Sequence, residues 1–342
     1  MNNHERLPSS EIILVTPCDV VIPSEAVQSL QEIAKLAEGF FAEWLNHWGY
    51  PPQRQEIFSR GAEGLIFIRT VSGAKSVSSG AYDSSEALKI SWPQTEIVKE
   101  VVRTYSIPQN GNYFWMFIWL GRDRKFKGWN GSGGPRTWGH CIVPYPEGGR
   151  FPLPKTHFHE FAHALGLPHI GPRRQDNGLC SLMGPNDDCY LKRMGRGYDN
   201  FCLTPAEAAM LWKHPVFSGT VNDRTRFPAQ LALSNYRAEF DARAEAIVIT
   251  GTLHTDLRCH SVVVVDDAQG IGEYWRKGYV GQVGEDGAFN VCISEPAENC
   301  GRFMILPCFE NGVNTGDGVH HGLCSAISKR YHWTDGRYRF EE

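Results

Sequence analysis

β-branched residues recur through Glu11 to Val21, a pattern that predicts a strand. From Ser24 the period changes. Val27, Leu30, Ile33, Ala37, Phe40, Phe41, Trp44 and Leu45 return at intervals of three and four, and the run stops near Gly49 and Pro51-Pro52. This predicts an amphipathic helix of about six turns. Ala62 to Val71 predicts a second strand, Thr95 to Tyr105 a second helix, and the apolar run Asn112 to Leu120 a strand buried on both faces. A glycine-rich loop is expected over Gly128 to Gly134, then a short strand over Thr137 to Val143 and a helix over Pro154 to Leu165. Thr204-Pro205-Ala206-Glu207 carries the signature of a capping box with proline at the first helical position, and opens a helix to about Trp212.

Downstream the texture changes. Val221 to Pro228 is polar and reads as a linker. Beyond it come short β runs, Ala246–Thr250, Ser261–Val265, Ala288–Ile293 and Arg302–Leu306, separated by Asp-Gly and Asn-Gly turns. The expected organisation is therefore α+β over residues 1–220, followed by an all-β sandwich over 221–342, Ig-like or fibronectin-III-like in type. Tyr274, Trp275 and Tyr279 line either a glycan or protein site of that β region or its core.

The chemistry is concentrated in one run, His159-Glu160-Phe161-Ala162-His163-Ala164-Leu165-Gly166-Leu167-Pro168-His169. On a helix, His159 and His163 stack on one face, one turn apart. Two neutral imidazoles so placed can hold Zn²⁺ at about 2.0–2.1 Å each. Glu160 is set to take a proton from a water that zinc has brought to a pKa of roughly 7. Gly166 can end the helix in a left-handed conformation, Pro168 discourages its continuation, and His169 can return as the third ligand. The fourth position is left for water or substrate. Five such fixed positions arise by chance about once in ten thousand chains of this size.

The run resembles the zinc signature of the metzincin clan of metallopeptidases. Metzincins also carry a methionine turn beneath the imidazoles, and Cys180-Ser181-Leu182-Met183-Gly184-Pro185 is similar to it. The resemblance implies an α/β/α zincin catalytic domain with Zn²⁺ on His159, His163 and His169, Glu160 as general base and Met183 in the turn. It also implies an outer strand that binds extended peptide by main-chain pairing; Thr137 to Val143 is the candidate. The chain departs from the clan at two points. Ile170 follows the third histidine, which matches no familiar subfamily, and Pro185 stands where some members have a zinc-proximal tyrosine, a role open to Tyr190 or Tyr198. The activity expected is a zinc endopeptidase acting on protein or peptide. A catalytically silent binding or adhesion protein is the first alternative, although Glu160 has no purpose there. A zinc hydrolase of a non-peptide bond is the second.

Bulk properties narrow the setting. The net charge of −4 argues against nucleic acid as a partner. Arg122, Arg124, Lys125 and Lys127, like Arg173-Arg174 and Lys192-Arg193, read as solvated loops. No apolar stretch has the length of a membrane span. Ten cysteines, with Cys180 and Cys189 bracketing the methionine turn, favour disulfides and a secreted protein whose leader is absent; free thiols in a cytoplasmic enzyme are the alternative. A monomer is expected. Asn130-Gly131-Ser132 fits a glycosylation acceptor. Asp187-Asp188 is too little for a calcium site. His157 is expected to be structural, and His254, His260, His320 and His321 to lie away from the metal.

Overall fold

The structure, a computed structural model, describes residues 8–83, 96–105, 112–132, 139–146, 154–176, 180–185, 201–219, 228–313 and 327–341. The chain is mixed α and β and divides into two units. Met1–Glu43, Gln53–Gly166 and Pro215–Val221 form one; Trp44–Pro52, Leu167–His214 and Asn222–Glu342 form the other.

The first unit is built on five strands: β1 (Ser9–Thr16), β2 (Ile68–Ser72), β3 (Asn112–Ile118), β4 (Asn130–Ser132) and β5 (Gly139–Pro144). They lie in the order β2-β1-β3-β5-β4. β1 pairs in parallel with β2 and β3, β3 pairs in parallel with β5, and β4 runs antiparallel to β5. Every residue of β1 is buried, as a central parallel strand covered on both faces requires. The pleat of β3 sorts its apolar run by parity. Phe114, Met116 and Ile118 pack with Ile97, Val98 and Val101 of α2 (Glu96–Tyr105). Trp115 instead stacks on Phe161 of α3 (Pro154–Ala164), with ring centroids 4.8 Å apart. Phe161 also meets Phe41 of the long helix α1 (Ala26–His47). One face of the sheet thus carries α2, and the other carries α3 with α1.

The strand expected at the edge is not the edge. β5 pairs on both sides, and Asn130–Ser132 is the outermost strand. Gly131, in the run that reads as a loop, serves a close approach. A Cβ on Gly131 would collide with the Glu160 carbonyl and come within 2.7 Å of the His163 Cβ. Only glycine lets a strand cross the histidine helix at that distance. Thr137 and Trp138 lie outside the described residues.

The second unit holds two antiparallel sheets. β8 (Leu231–Asp241), β9 (Ala246–Thr255) and β12 (Ala288–Ile293) pair in the order β12-β9-β8. β10 (Cys259–Ala268), β11 (Lys277–Gln282), β13 (Cys300–Phe309), β14 (Ser328–Thr334) and β15 (Arg337–Phe340) pair in the order β11-β10-β13-β14-β15. Ile247, Ile249, Val291 and Ile293 of the first sheet share one apolar cluster with Val262, Val264, Phe303 and Ile305 of the second. The four β runs read from the sequence lie within β9, β10, β12 and β13.

A short parallel pair, β6 (Cys180–Ser181) and β7 (Phe201–Cys202), precedes α4 (Pro205–Leu211). The capping box is present: Thr204 Oγ1 accepts from the Glu207 N–H while the Glu207 carboxyl accepts from the Thr204 N–H. α4 is tied to the β region of its own unit. Lys213, just beyond it, pairs with Glu310 at 2.8 Å, and Trp212 lies edge-on to His260. The expected linker, Val221 to Pro228, lies outside the described residues apart from Pro228.

The expected disulfide framework is not found among the described residues. Cys18, Cys141, Cys259, Cys292 and Cys300 are thiols. Cys141 and Cys259 sit in apolar interior, where cysteine acts as a small hydrophobe, and burial pushes the Cys259 thiol up to about 12. The Cys180–Cys189 pairing cannot be placed, because residue 189 is outside the described set. Among the described residues no helix is long and apolar enough to cross a membrane.

Candidate metal centre

α3 carries His159 and His163 on one face, as a four-residue spacing dictates. Their ring centroids are 4.7 Å apart and nearly perpendicular. The helix stops at Ala164, and Gly166 adopts φ 95° while its N–H bonds to the His163 carbonyl at 2.9 Å. This backbone conformation is nearly closed to residues with a Cβ, so the glycine read as a helix terminator has that geometry. The chain then brings His169 back. One ligand nitrogen from each of His159, His163 and His169 lies within 4.8 Å of the other two. All three belong to eleven consecutive residues, the third lying beyond the end of the helix that carries the first two.

The donor set suits a first-row divalent ion. Three imidazoles fit zinc chemistry, and a tetrahedral ion with bonds of about 2.0–2.1 Å sets its ligands about 3.3 Å apart. Small side-chain rotations close the remaining distance. His159 is buried at 2% exposure, while His163 and His169 retain partial access. A centre with three protein ligands and an accessible side is the form found in catalytic zinc sites. Beside it, burial pushes the Glu160 carboxyl up to about 7. A cation nearby acts the other way and favours the carboxylate.

Met183 is fully buried, in a turn closed by the Gly184 N–H on the Ser181 carbonyl at 3.2 Å. The turn rests on a carboxyl that sequence reasoning used only as a helix cap. Glu207 is fully buried on α4, and its Oε1 accepts from the Met183 N–H at 3.0 Å. Ser181 Oγ lies 3.1 Å from the same oxygen and donates to the carbonyl of Ile170, the residue after the third histidine. Glu207 therefore holds the cap, the methionine turn and, through Ser181, the segment leaving His169. Burial raises its pKa to about 7 against the opposing pull of its hydrogen-bond donors. The capping-box signature marks this residue, but nothing in the local sequence shows where its other oxygen points.

The remaining candidates lie elsewhere. His157 points its Nε2 to the Pro144 carbonyl at 3.2 Å and its ring packs against Phe117 and Trp129. His254 contacts Ser234 Oγ at 2.6 Å, and His260 contacts Ser261 Oγ at 3.0 Å, with burial lowering its pKa to about 3. Tyr190, Tyr198, Asp187, Asp188, His320 and His321 are outside the described residues. Arg122, Arg124, Lys125 and Lys127 are exposed as expected. Arg173 is not: it is buried, bonded to Asp176 at 2.7 Å, with its guanidinium over the Tyr279 ring. A partnered arginine can enter the interior where a lone one cannot. Tyr279 itself is core, whereas Tyr274 is partly exposed and stacks on His169.

No protein-family model matches the chain. No curated protein matches it either. Solved structures do. A crystal structure of catalytically inactive OgpA from Akkermansia muciniphila, in complex with an O-glycopeptide substrate (glycodrosocin), superposes with a TM-score of 0.73 at 16% identity, over 97% of this chain and 95% of that one. Wild-type OgpA in two crystal forms gives TM-scores of 0.70 and 0.69 at 15% and 16% identity, over 100% and 98% of this chain and 98% and 95% of the others. At this identity the likeness is one of fold, and it extends over nearly the whole length of both proteins.

Proposed function

We propose that this chain is a zinc-dependent endopeptidase of the metzincin type, with His159, His163 and His169 as the metal ligands and Glu160 as the general base. One observation carries the reading: one ligand nitrogen from each of three imidazoles lies within 4.8 Å of the other two, and Glu160 follows the first of them in the sequence. The fold shared with OgpA, a protein crystallised with a peptide substrate, supports it. In such a centre zinc, when bound, acts as a Lewis acid toward a carbonyl oxygen and makes water acidic enough to ionise near neutrality. Glu160 takes the proton from the attacking water and returns it to the departing amine nitrogen. Gly166 sets the turn that delivers the third ligand, and Met183 would take the part of the methionine in a metzincin methionine turn. The edge strand Asn130–Ser132 offers free main-chain groups beside α3 for an extended substrate.

Peptides bearing an O-glycan form the first substrate class to try, because the similar OgpA was crystallised with one. The decisive experiment is Glu160→Gln. The variant should retain one zinc per chain by metal analysis and lose at least 10²-fold in cleavage of a peptide and O-glycopeptide panel, the usual scale for removing a general base. Cleavage at the wild-type rate would sink the assignment. Ester and glycan substrates run alongside test hydrolysis of a non-peptide bond.

A further inference from the structure

The third histidine is gripped by a turn far downstream in its own unit. The β10–β11 connection forms a 3₁₀ turn over Glu273–Trp275, closed by the Trp275 N–H on the Gly272 carbonyl at 2.9 Å. Its first residue places Oε1 3.2 Å from His169 Nδ1. Its second lays an aromatic ring over the imidazole, with centroids 3.8 Å apart and planes tilted by 34°. The contact is not a chance meeting of two long side chains. Two residues after His169, the Gly171 N–H donates to the Arg276 carbonyl, and Gly171 bridges to Lys277 in parallel register. A Cβ on Gly171 would come within 2.8 Å of the Tyr274 carbonyl oxygen and 2.9 Å of the Trp275 Cα. Backbone is pressed on backbone, so the turn and the ligand segment move together.

We infer that Glu273 is a positioning residue for the metal centre, fixing His169 in the tautomer and orientation needed to bind zinc, with Tyr274 as the wall behind the ring. The chemistry follows from imidazole. A neutral ring has one N–H and one lone pair. When Nδ1–H is donated to the carboxylate, Nε2 keeps its lone pair for the metal, and the hydrogen bond makes that nitrogen a better donor. The stacked tyrosine removes the alternative ring rotations. Helix geometry places the first two imidazoles on one face, whereas His169 lies beyond the end of that helix. Glu273 is 51% exposed, so the effect belongs at the lower end of the range for groups that orient metal ligands, about 10-fold in metal affinity.

The inference rests on the triad being a zinc site, and its test does not use turnover. Zinc affinity of the full chain is measured by chelator competition for wild type, Glu273→Ala, Glu273→Gln and, as a control for loss of one exposed negative charge, Glu285→Ala. The visible spectrum of the cobalt-substituted proteins and the melting temperature of the metal-free proteins are recorded in parallel. Glu273→Ala should weaken zinc about 10-fold and alter the cobalt spectrum, with the metal-free melting temperature unchanged. Glu273→Gln, which keeps an acceptor for Nδ1–H, should recover most of the affinity, and Glu285→Ala should match wild type. Wild-type affinity and spectrum in Glu273→Ala would overturn the inference. So would equal losses in both Glu273 variants with a lowered metal-free melting temperature, which is the signature of a structural role. If wild type binds zinc but cleaves nothing, the peptidase reading falls and this one stands; if it binds no zinc, both fall.

Discussion

Two of the three imidazoles and the third reach the same place by different physics. His159 and His163 owe their pairing to helix geometry alone, since a spacing of four residues stacks them on one face of α3. His169 has no such period behind it. It depends on a left-handed glycine at Gly166, on Ser181 bonded to the Ile170 carbonyl, and on the Glu273–Trp275 turn against its ring. The lesson is that half of this centre is written locally and half is assembled from distant segments. The local half should be brittle to changes in the ligands themselves. The assembled half should be sensitive to residues that never touch a metal.

The largest effect expected is on the local half. His163→Ala removes one of the three proposed ligands, and among the described residues no further His, Cys, Asp or Glu joins that group, so the variant should emerge from dialysis without stoichiometric zinc and without activity. Metal analysis of the dialysed protein decides the point, and zinc retained at one per chain would break the comparison at its root. The assembled half is tested next by Glu207→Ala. That change leaves the buried Met183 and Thr204 N–H groups without their acceptor, and each such loss costs about 1–3 kcal/mol, so a destabilisation on the order of 3 kcal/mol is expected by urea unfolding. A shift under about 0.5 kcal/mol, typical of an ordinary surface position, would show that the network is dispensable.

The same carboxyl predicts a dependence on pH. Burial pushes the Glu207 pKa up to about 7, outweighing the Thr204, Met183 and Ser181 donors that pull it down. The folded value lies above the ordinary glutamate value of 4.5. The stabilising contribution is then complete below the unfolded pKa and is lost as pH rises through the folded one. Unfolding free energies from about pH 5 to about pH 8 should fall in wild type and stay flatter in Glu207→Gln, which cannot titrate. Parallel slopes in the two proteins would assign the effect to another group.

The comparison also explains what was legible in the chain. Helix α1, helix α3 and the capping box at Thr204 follow from periodicity and from residue types with one dominant local use, and all three are present within a few residues of expectation. The placement of His159 and His163 on one helix face was legible for the same reason. Failures occurred where tertiary contact overrides local meaning. Gly131 belongs to a run that signals a loop in isolation, yet it lies in an edge strand where a Cβ would not fit against α3. β8 mixes Arg237, Glu239 and Asp241 with half-buried apolar residues, so its strand character is carried by pairing with β9 rather than by a hydrophobic run. Arg173 looks like a solvated loop residue until Asp176 and Tyr279 are placed around it. Glu273 gives no local sign at all, since its role depends on a fold-level meeting with a residue far upstream.

Gly166 belongs to both halves, and it offers the smallest and sharpest test. It ends the helix that carries the first two ligands and aims the chain toward the third, at φ 95°. An alanine there meets the steric penalty of the left-handed region, roughly 1–2 kcal/mol. Asparagine tolerates positive φ better than other residues with a Cβ, because its short side chain can bond to its own backbone. Gly166→Ala should therefore lower stability by roughly 1–2 kcal/mol in urea unfolding of the metal-free protein, and Gly166→Asn by less. If Gly166 serves only to stop the helix, zinc affinity should be unchanged in a variant that still folds. If it also aims His169, affinity should fall along with stability, more in the alanine variant than in the asparagine one. Equal stability in all three proteins would mean that the chain can leave α3 by another backbone route, and the dependence of the third ligand on this glycine would be withdrawn.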